Sequence, residues 1–576
     1  MNLKLTALGT GLLFFAVTSG ALAADDNRER RVPQPGSAPV PAATTINNGF
    51  KLVGWNDLGM HCMDGKYNSI FAVLPPYNTI HAHLMDSAGR LIKTGSGYKV
   101  TYEATRDPLT NSLNTTSWMK TNFWQFAAQL GFGSLKNDQG LKGASMPGSS
   151  NTPQPMAFNA SDNTFLAEGI PILPYPDPGS SIATTNYFPM MRLVARNSSG
   201  ALLAATDVVL PNSDEMSCNV CHASGTGSLS AMPAGGWVNH RDASKDVKLN
   251  ILRKHDERFA NTALYRQAAP LFGYNPQGLE KTSATTPVLC SLCHASNALN
   301  LKGVSGIASL TSALHSGHGN AIDPATSKPL GASNDRTSCY RCHPGPSTQC
   351  LRGAMSSVKD AKGTVVVECQ SCHGSMSTVA ASTRNGWLDE PNCQNCHTGT
   401  ATSNNGQLAY NSVFASGSTL RAAVNSTFAT NPDTPAKGLS LYRFSKGHGG
   451  LQCEACHGST HAEYGTPISN DNVQSNALQG HTGMLAECAS CHGSSPNTTS
   501  GGPHGLHPLG QTWVTRHGDA AENGLAACQA CHGKDYKGTL LSKALANRTF
   551  STEWGTRTFA RGAVIGCYSC HNGPKP

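Results

Sequence analysis

The chain has 576 residues, with 43 Lys plus Arg, 35 Asp plus Glu, 20 Cys and 22 His, and a formal net charge of +8. Only 14% of the residues are charged, the mean hydropathy is −0.29, and the one long apolar run is N-terminal, which excludes a polytopic membrane protein. No Lys/Arg-rich block accompanies the mild positive charge, so we expect no nucleic-acid partner.

Residues 1–23 have the features of a secretory signal peptide. Lys4 supplies the positive start, residues 12–17 lie in the apolar stretch, and residues 21–23 give a small-x-small cleavage pattern. A membrane anchor is the alternative, but the apolar core is short and interrupted by glycines. The sequence therefore predicts export and no transmembrane segment in the mature chain.

Residues 24–46 are rich in Pro and predict an extended linker. Residues 47–211 predict an all-β, sandwich-like N-terminal domain, because short runs of β-formers alternate with Gly, Asn, Asp and Pro clusters. Residues 118–130 predict one helix, whose aromatic side chains we expect in the core. The expected strands include 79–84, 98–102, 191–195 and 201–210, and the expected hairpin loops are 87–89 and 197–200.

Residues 212–576 show little hydrophobic periodicity. Modest helical patterns occur at 247–265, 308–314 and 540–545, between stretches rich in Gly, Ser, Asn and Thr. A region with so few periodic apolar residues cannot build a sufficient hydrophobic core from its own side chains. We therefore expect a cofactor to provide part of that core.

The pattern C-x-x-C-H occurs nine times in this second region. It is the attachment site of haem c: two thiols three residues apart on one helical turn form thioethers, and the adjacent His binds the iron. A zinc half-site or a redox dithiol needs no His after each pair, so we expect nine covalently bound haem c groups with their iron. The expected thioether donors are Cys218, Cys221, Cys290, Cys293, Cys339, Cys342, Cys369, Cys372, Cys393, Cys396, Cys453, Cys456, Cys488, Cys491, Cys528, Cys531, Cys567 and Cys570. The expected proximal iron ligands are His222, His294, His343, His373, His397, His457, His492, His532 and His571.

Nine further histidines of this region are candidates for the second axial ligand, one for each iron. They are His255, His315, His318, His448, His461, His481, His504, His507 and His517. His315 and His318 are spaced i, i+3, as are His504 and His507, and the two members of each pair are expected to bind two different haems. His240, beside Arg241 and Asp242, is our choice for a histidine that is not a ligand.

Two imidazoles leave no open coordination position on an iron. The methionines near the motifs keep no fixed offset from them, so we treat them as packing residues. We therefore expect an electron carrier without a substrate-binding site, rather than an enzyme, and no catalytic residue.

Cys62 and Cys350 remain outside the motifs. A disulfide between them is the default expectation in an oxidising compartment. The alternatives are two unpaired thiols, or a metal site of Cys62 with His61, His81 and His83. Structural roles are expected for His81 and His83. His61 is hypothesised to ligate a haem of a neighbouring subunit.

The nine motifs on a signal-bearing chain resemble the extracellular multihaem c-type cytochromes of metal-reducing bacteria. Residues 213–216 (Ser-Asp-Glu-Met) and 502–508 (Gly-Pro-His-Gly-Leu-His-Pro) add to the likeness, which covers 212–576. The resemblance implies a domain of coil and short helices wrapped around stacked haems. It also implies redox partner proteins or extracellular electron acceptors, a homo-polymer or filament in some members, and an extracellular rather than periplasmic location.

Two alternatives remain open. A multihaem reductase of a small inorganic nitrogen or sulfur substrate keeps one haem open, often through a motif Lys, and no C-x-x-C-K occurs here. A structural subunit of a cytochrome filament is the other, and it is compatible with electron transfer.

Overall fold

The computed structural model describes residues 49–179, 185–216, 218–384, 414–420, 442–444, 446–493, 502–503 and 506–574. The predicted signal peptide and linker lie outside these ranges, as do the motif of Cys393, Cys396 and His397 and the candidate ligand His504.

The N-terminal region is β-rich, as the sequence predicts. All four expected strands are present, and the two expected loops are tight turns in which Gly89 and Gly200 have φ of +76° and +84°. The strands are β1 (Lys51–Asn56), β2 (His61–Cys62), β3 (Phe71–Ala72), β4 (Thr79–Met85), β5 (Tyr98–Thr105), β6 (Gln154–Pro155), β7 (Ala157–Asn159), β8 (Thr164–Glu168), β9 (Met190–Asn197) and β10 (Leu202–Val209).

These strands form two antiparallel four-stranded sheets, in the orders β1-β4-β8-β7 and β10-β9-β5-β6. One buried cluster takes side chains from both sheets, with Leu52 and Leu84 from the first and Val100 and Leu193 from the second, all at most 1% exposed. This region therefore has a hydrophobic core made of its own side chains.

The helix predicted at 118–130 is much shorter in the structure. Only α1 (Phe123–Phe126) is helical, because Asn122 is held in a turn by hydrogen bonds to Lys66 and Asn68. After α1 the chain turns again and reaches Gly131 with a φ of +88°. The aromatic side chains lie in a small core around Phe123, as expected.

The described residues after 211 form helices of four to 17 residues, turns, and strands of two to five residues. The pattern at 247–265 forms two helices, because the side-chain oxygen of Thr262 accepts a hydrogen bond from the N–H of Tyr265 and so starts a second helix. The pattern at 540–545 forms a single 3-10 turn. The helices are α2 (Asn219–His222), α3 (Ala243–Phe259), α4 (Ala263–Ala268), α5 (Leu279–Ser283), α6 (Cys290–Cys293), α7 (Leu310–His318), α8 (Arg336–Cys339), α9 (Cys369–His373), α10 (Met376–Val379), α11 (Cys453–His457), α12 (Val473–Gln479), α13 (Gln511–Glu522) and α14 (Leu525–His532). The strands are β11 (Asn212–Ser213), β12 (Val288–Leu289), β13 (Phe414–Ser416), β14 (Thr419–Leu420), β15 (Arg548–Thr552) and β16 (Gly555–Phe559). Within the described ranges, no helix has both the length and the apolar character needed to cross a bilayer.

The two regions are joined by backbone pairing as well as by side chains. Strand β11 pairs in parallel with β2, and β12 pairs in parallel with β3. Strand β12 ends immediately before Cys290 and β11 ends shortly before Cys218, so the β-rich region holds the chain close to the start of the first two C-x-x-C-H motifs. A side chain of the later region also contacts β1: Gln474 of α12 accepts the N–H of Gly54 at 2.7 Å and donates to the carbonyl of Gly54 at 2.8 Å.

Candidate haem sites

The described C-x-x-C-H motifs form a turn of helix or 3-10 helix, except that in the third motif helix α8 ends at Cys339 and a hydrogen-bonded turn follows. In such a turn the side chains at i and i+3 lie on one face, so the two thiols of a motif point the same way. In five motifs the N–H of the His bonds the carbonyl of the first Cys at 2.8–3.2 Å, which closes the turn. These histidines are His222, His294, His343, His492 and His571. The remaining three described motifs lie within α9, α11 and α14.

Cysteines of different motifs lie beside one another. The thiol of Cys369 bonds that of Cys339 and lowers its pKa to about 7, which places the third and fourth motifs in contact. Burial, together with the thiols of Cys218 and Cys221, raises the pKa of Cys342 to about 12, which brings the first motif close to the third. Two further neighbouring pairs are Cys456 with Cys491 and Cys528 with Cys567.

Six motif histidines of the described ranges face a second histidine, with ring centroids 5.7–6.2 Å apart. The pairs are His222 with His318, His343 with His315, His373 with His461, His492 with His448, His532 with His507 and His571 with His517. Two imidazole nitrogens on one metal ion, each at about 2.0 Å, are about 4 Å apart and place the ring centroids about 6 Å apart. The spacing of all six pairs therefore fits one iron between the two rings.

The protonation of these rings also fits ligation. In seven motif or candidate-ligand histidines, Nδ1 donates to a backbone carbonyl at 2.6–2.9 Å. They are His294, His315, His318, His507, His517, His532 and His571. A ring that carries its proton on Nδ1 keeps the lone pair of Nε2 for a metal.

Burial keeps four other rings of the facing pairs neutral. Desolvation lowers the pKa of His222, His343 and His461 to about 4, and that of His373 to about 3. Since only a neutral imidazole binds a metal, these environments favour the ligating form over a wide pH range.

The histidine pair on α7 serves two motifs. His315 faces His343 of the third motif, and His318 faces His222 of the first. Their Nδ1 atoms bond Thr311 and Leu314, the carbonyls one helical turn back. These carbonyl partners escape a search for ligand-type side chains, although recognition of a helix at 310–318 would have indicated them.

Among the described residues after 211, three histidines outside the motifs are not members of these pairs. The pKa of His294 is lowered, mainly by burial and also by the nearby His255, while the hydrogen bond to the carbonyl of Ala308 acts in the opposite direction. His481 is placed otherwise, because its Nε2 bonds the Glu487 carboxylate at 3.0 Å. His240 accepts a hydrogen bond at Nδ1 from the backbone of Asp242, next to the N-terminus of α3.

One continuous cavity of about 2730 Å³ connects four of the motifs. The first, second, third and fourth motifs all line it, and Cys453 and His457 of the sixth reach it as well. A drug-sized ligand site is about 300–1,000 Å³, so this space is suited to several large groups side by side.

The histidines of the β-rich region have local partners. His61 is 8% exposed and its Nε2 bonds Asp57 at 2.8 Å, while His83 is fully buried, donates to the carbonyl of Asn163 and accepts from the N–H of Gln452. His81 stacks on Trp55. Among the described residues no three His, Cys, Asp or Glu side chains lie together as a metal site, so the structure does not bring Cys62 together with these histidines in that way.

One family model matches the chain, over residues 289–374, and its description is "Cytochrome c554 and c-prime". The matched segment contains the second, third and fourth motifs and the histidine pair of α7. No curated protein and no solved structure matches. This match covers only that segment of the chain. With the paired histidines and the shared cavity, it supports a c-type cytochrome, a protein that binds haem c covalently and transfers electrons.

Proposed function

We propose that the chain carries nine haem c groups, most of them with two histidine ligands, and moves electrons along them. Bound haem c supplies one-electron Fe(III)/Fe(II) chemistry. The chain supplies the thioether sulfurs, two imidazoles for most of the irons and a buried surrounding. The facing histidine pairs at 5.7–6.2 Å are the observation that carries this proposal.

The contacts between motifs support a continuous path. Histidines on both sides of the sixth motif reach its neighbours, because His448 faces His492 of the seventh motif and His461 faces His373 of the fourth. Together with the cysteine contacts, these pairs connect the first, third, fourth, sixth and seventh motifs. Between Cys218 and His571 there are about 39 residues for each motif, which leaves little protein to separate the groups.

Haem counting and spin state test the proposal on the same purified sample. We expect the intact mass to exceed that of the processed polypeptide by nine haem groups, and the ferric protein to show low-spin signals in electron paramagnetic resonance. Fewer haems would contradict the count. A high-spin ferric signal in the resting protein would contradict full bis-His ligation and favour the reductase alternative.

We also propose that the protein is exported and works at the cell exterior, with redox proteins or extracellular acceptors as partners. The signal-like residues 1–23 and the resemblance to extracellular multihaem cytochromes support this location. Protease treatment of intact cells tests it, since an exterior protein is degraded and a periplasmic one is protected. Electron microscopy of the released protein then distinguishes filaments of this chain from discrete particles.

A further inference from the structure

Two cysteines of the described ranges belong to no motif and lie 288 positions apart in the sequence. Cys62 is in β2 of the β-rich region, and Cys350 follows the third motif. Both are half-buried and line the large cavity, and both carry free thiols in the structure.

A first set of contacts brings the two segments together from one side. Cys62 pairs with Ser213 in the parallel ladder of β2 and β11. Two residues further on, the carboxylate of Glu215 accepts hydrogen bonds from the backbone and hydroxyl of Thr348. Thr348 is two residues before Cys350, so the chain on the N-terminal side of that cysteine is held next to the partner strand of Cys62.

A second set of contacts acts from the other side. Gly59, three residues before the first cysteine, packs so closely on residues 460–462 that a Cβ there would lie 2.4 Å from the carbonyl oxygen of Thr460. The carbonyl of His461 in turn accepts the N–H of Arg352 at 2.8 Å. Arg352 is two residues after the second cysteine. The two flanks of Cys350 are therefore linked to the segment of Cys62 through residues 213–215 on one side and residues 460–462 on the other.

Cys350 also acts electrostatically on the thiol of Cys62. Burial raises the pKa of Cys62, and the neighbouring Cys350 raises it further. Burial likewise raises the pKa of Cys350 to about 11. This effect agrees with the backbone contacts that bring the two segments together, and both thiols are protonated near neutral pH.

We propose that Cys62 and Cys350 form a disulfide that fastens the β-rich region to the loop after the third motif. The bond forms by exchange with the disulfide of a thiol oxidoreductase: the sulfur–sulfur bond passes to this pair, and the oxidoreductase leaves as a dithiol that carries the two hydrogens. A crosslink across 288 residues restricts the unfolded chain over a long loop, which favours the folded state.

Peptide mapping of the purified holoprotein tests the proposal. The protein is unfolded without reductant, treated with iodoacetamide, digested and analysed by mass spectrometry. We expect one linked peptide that contains both cysteines, with no alkylation at either, and alkylation of both after a phosphine reductant. Full alkylation of both without reductant, or a link from either to another cysteine, would overturn the proposal.

Matched variants extend the test. Cys62→Ser and Cys350→Ser should each expose one alkylatable thiol at the other position, and the double variant should expose none. Reductant should lower the midpoint of thermal unfolding of the wild type but not of the double variant. The inference does not rest on the haem count, which is measured on the same sample, so a lower haem number would contradict the proposed function without affecting the linked peptide.

Discussion

At each facing histidine pair, the carbonyl that holds one ring nitrogen determines which nitrogen is left for a metal. The carbonyls of Thr311 and Leu314 hold Nδ1 of His315 and His318, so Nε2 of each ring is directed at a motif histidine. A helical i, i+3 spacing places two rings on one face but cannot reveal which motif each meets. The sequence therefore predicted that the two serve different haems, whereas the partners follow only from tertiary packing.

Replacement of one such ring should affect a single haem. In His318→Ala the iron facing His222 loses its second imidazole, so we expect one of the nine haems to change from low spin to high spin and the others to stay unchanged. Electron paramagnetic resonance and visible spectra of the ferric protein measure the change. His240→Ala is the control and should leave both spectra as in the wild type. An unaltered spectrum in His318→Ala would show that this ring is not a ligand.

A buried histidine outside the haem sites makes stability depend on pH. Desolvation lowers the pKa of His83 to about 4 from an ordinary value near 6.5. The unfolded chain therefore binds more protons than the folded one between these values, so stability is full above about pH 6.5 and falls as the pH falls towards 4. At one pKa unit per 1.36 kcal/mol, the loss by pH 4 is about 3 kcal/mol.

Thermal unfolding at pH 7 and pH 4.5 measures this loss. His83→Gln keeps an acceptor for the N–H of Gln452 but does not titrate in this range. The fall in midpoint should be smaller in that variant than in the wild type. Equal falls in both proteins would assign the acid sensitivity to other groups.

At the scale of elements, the strands were predictable and the helices only in part. Short runs of β-forming residues, bounded by Gly, Asn, Asp and Pro clusters, predicted the positions of β4, β5, β9 and β10. The aromatic run at 118–130 looked helical, yet the hydrogen bonds of Asn122 to Lys66 and Asn68 compete with a helix start. Such long-range bonds leave no periodic signal in the sequence.

The open edge of the first sheet depends on one side chain. Gln474 bonds both backbone groups of Gly54, accepts the hydroxyl of Thr206 and is only 3% exposed. In Gln474→Ala these groups lose their partners while buried, which should cost about 3 kcal/mol of unfolding free energy. Denaturant unfolding measures the loss, and Gln277→Ala, at an exposed glutamine, is the control. Equal stability of the two variants would show that water replaces the lost bonds.

At the scale of the whole molecule, two kinds of core stand side by side. The sheets of 49–211 enclose a cluster of apolar side chains, whereas four motifs of the later region enclose a cavity of about 2730 Å³. The sequence predicted this division from the loss of hydrophobic periodicity after residue 211. It did not predict the parallel pairs β2–β11 and β3–β12, since a two-residue strand is too short to leave a pattern.

The chain without haem should therefore be folded only where side chains make the core. In cells that lack the haem-attachment machinery, we expect protease-resistant fragments from 49–216 and from helices α3–α5, whose Leu252 and Tyr265 pack on Phe71 of β3. The later motifs should be cut within their own sequences, because burial of their side chains depends on a cofactor. Limited proteolysis with mass spectrometry of the fragments measures this, with the holoprotein as the control. Equal resistance of the two forms across 339–571 would mean that the polypeptide builds this region unaided.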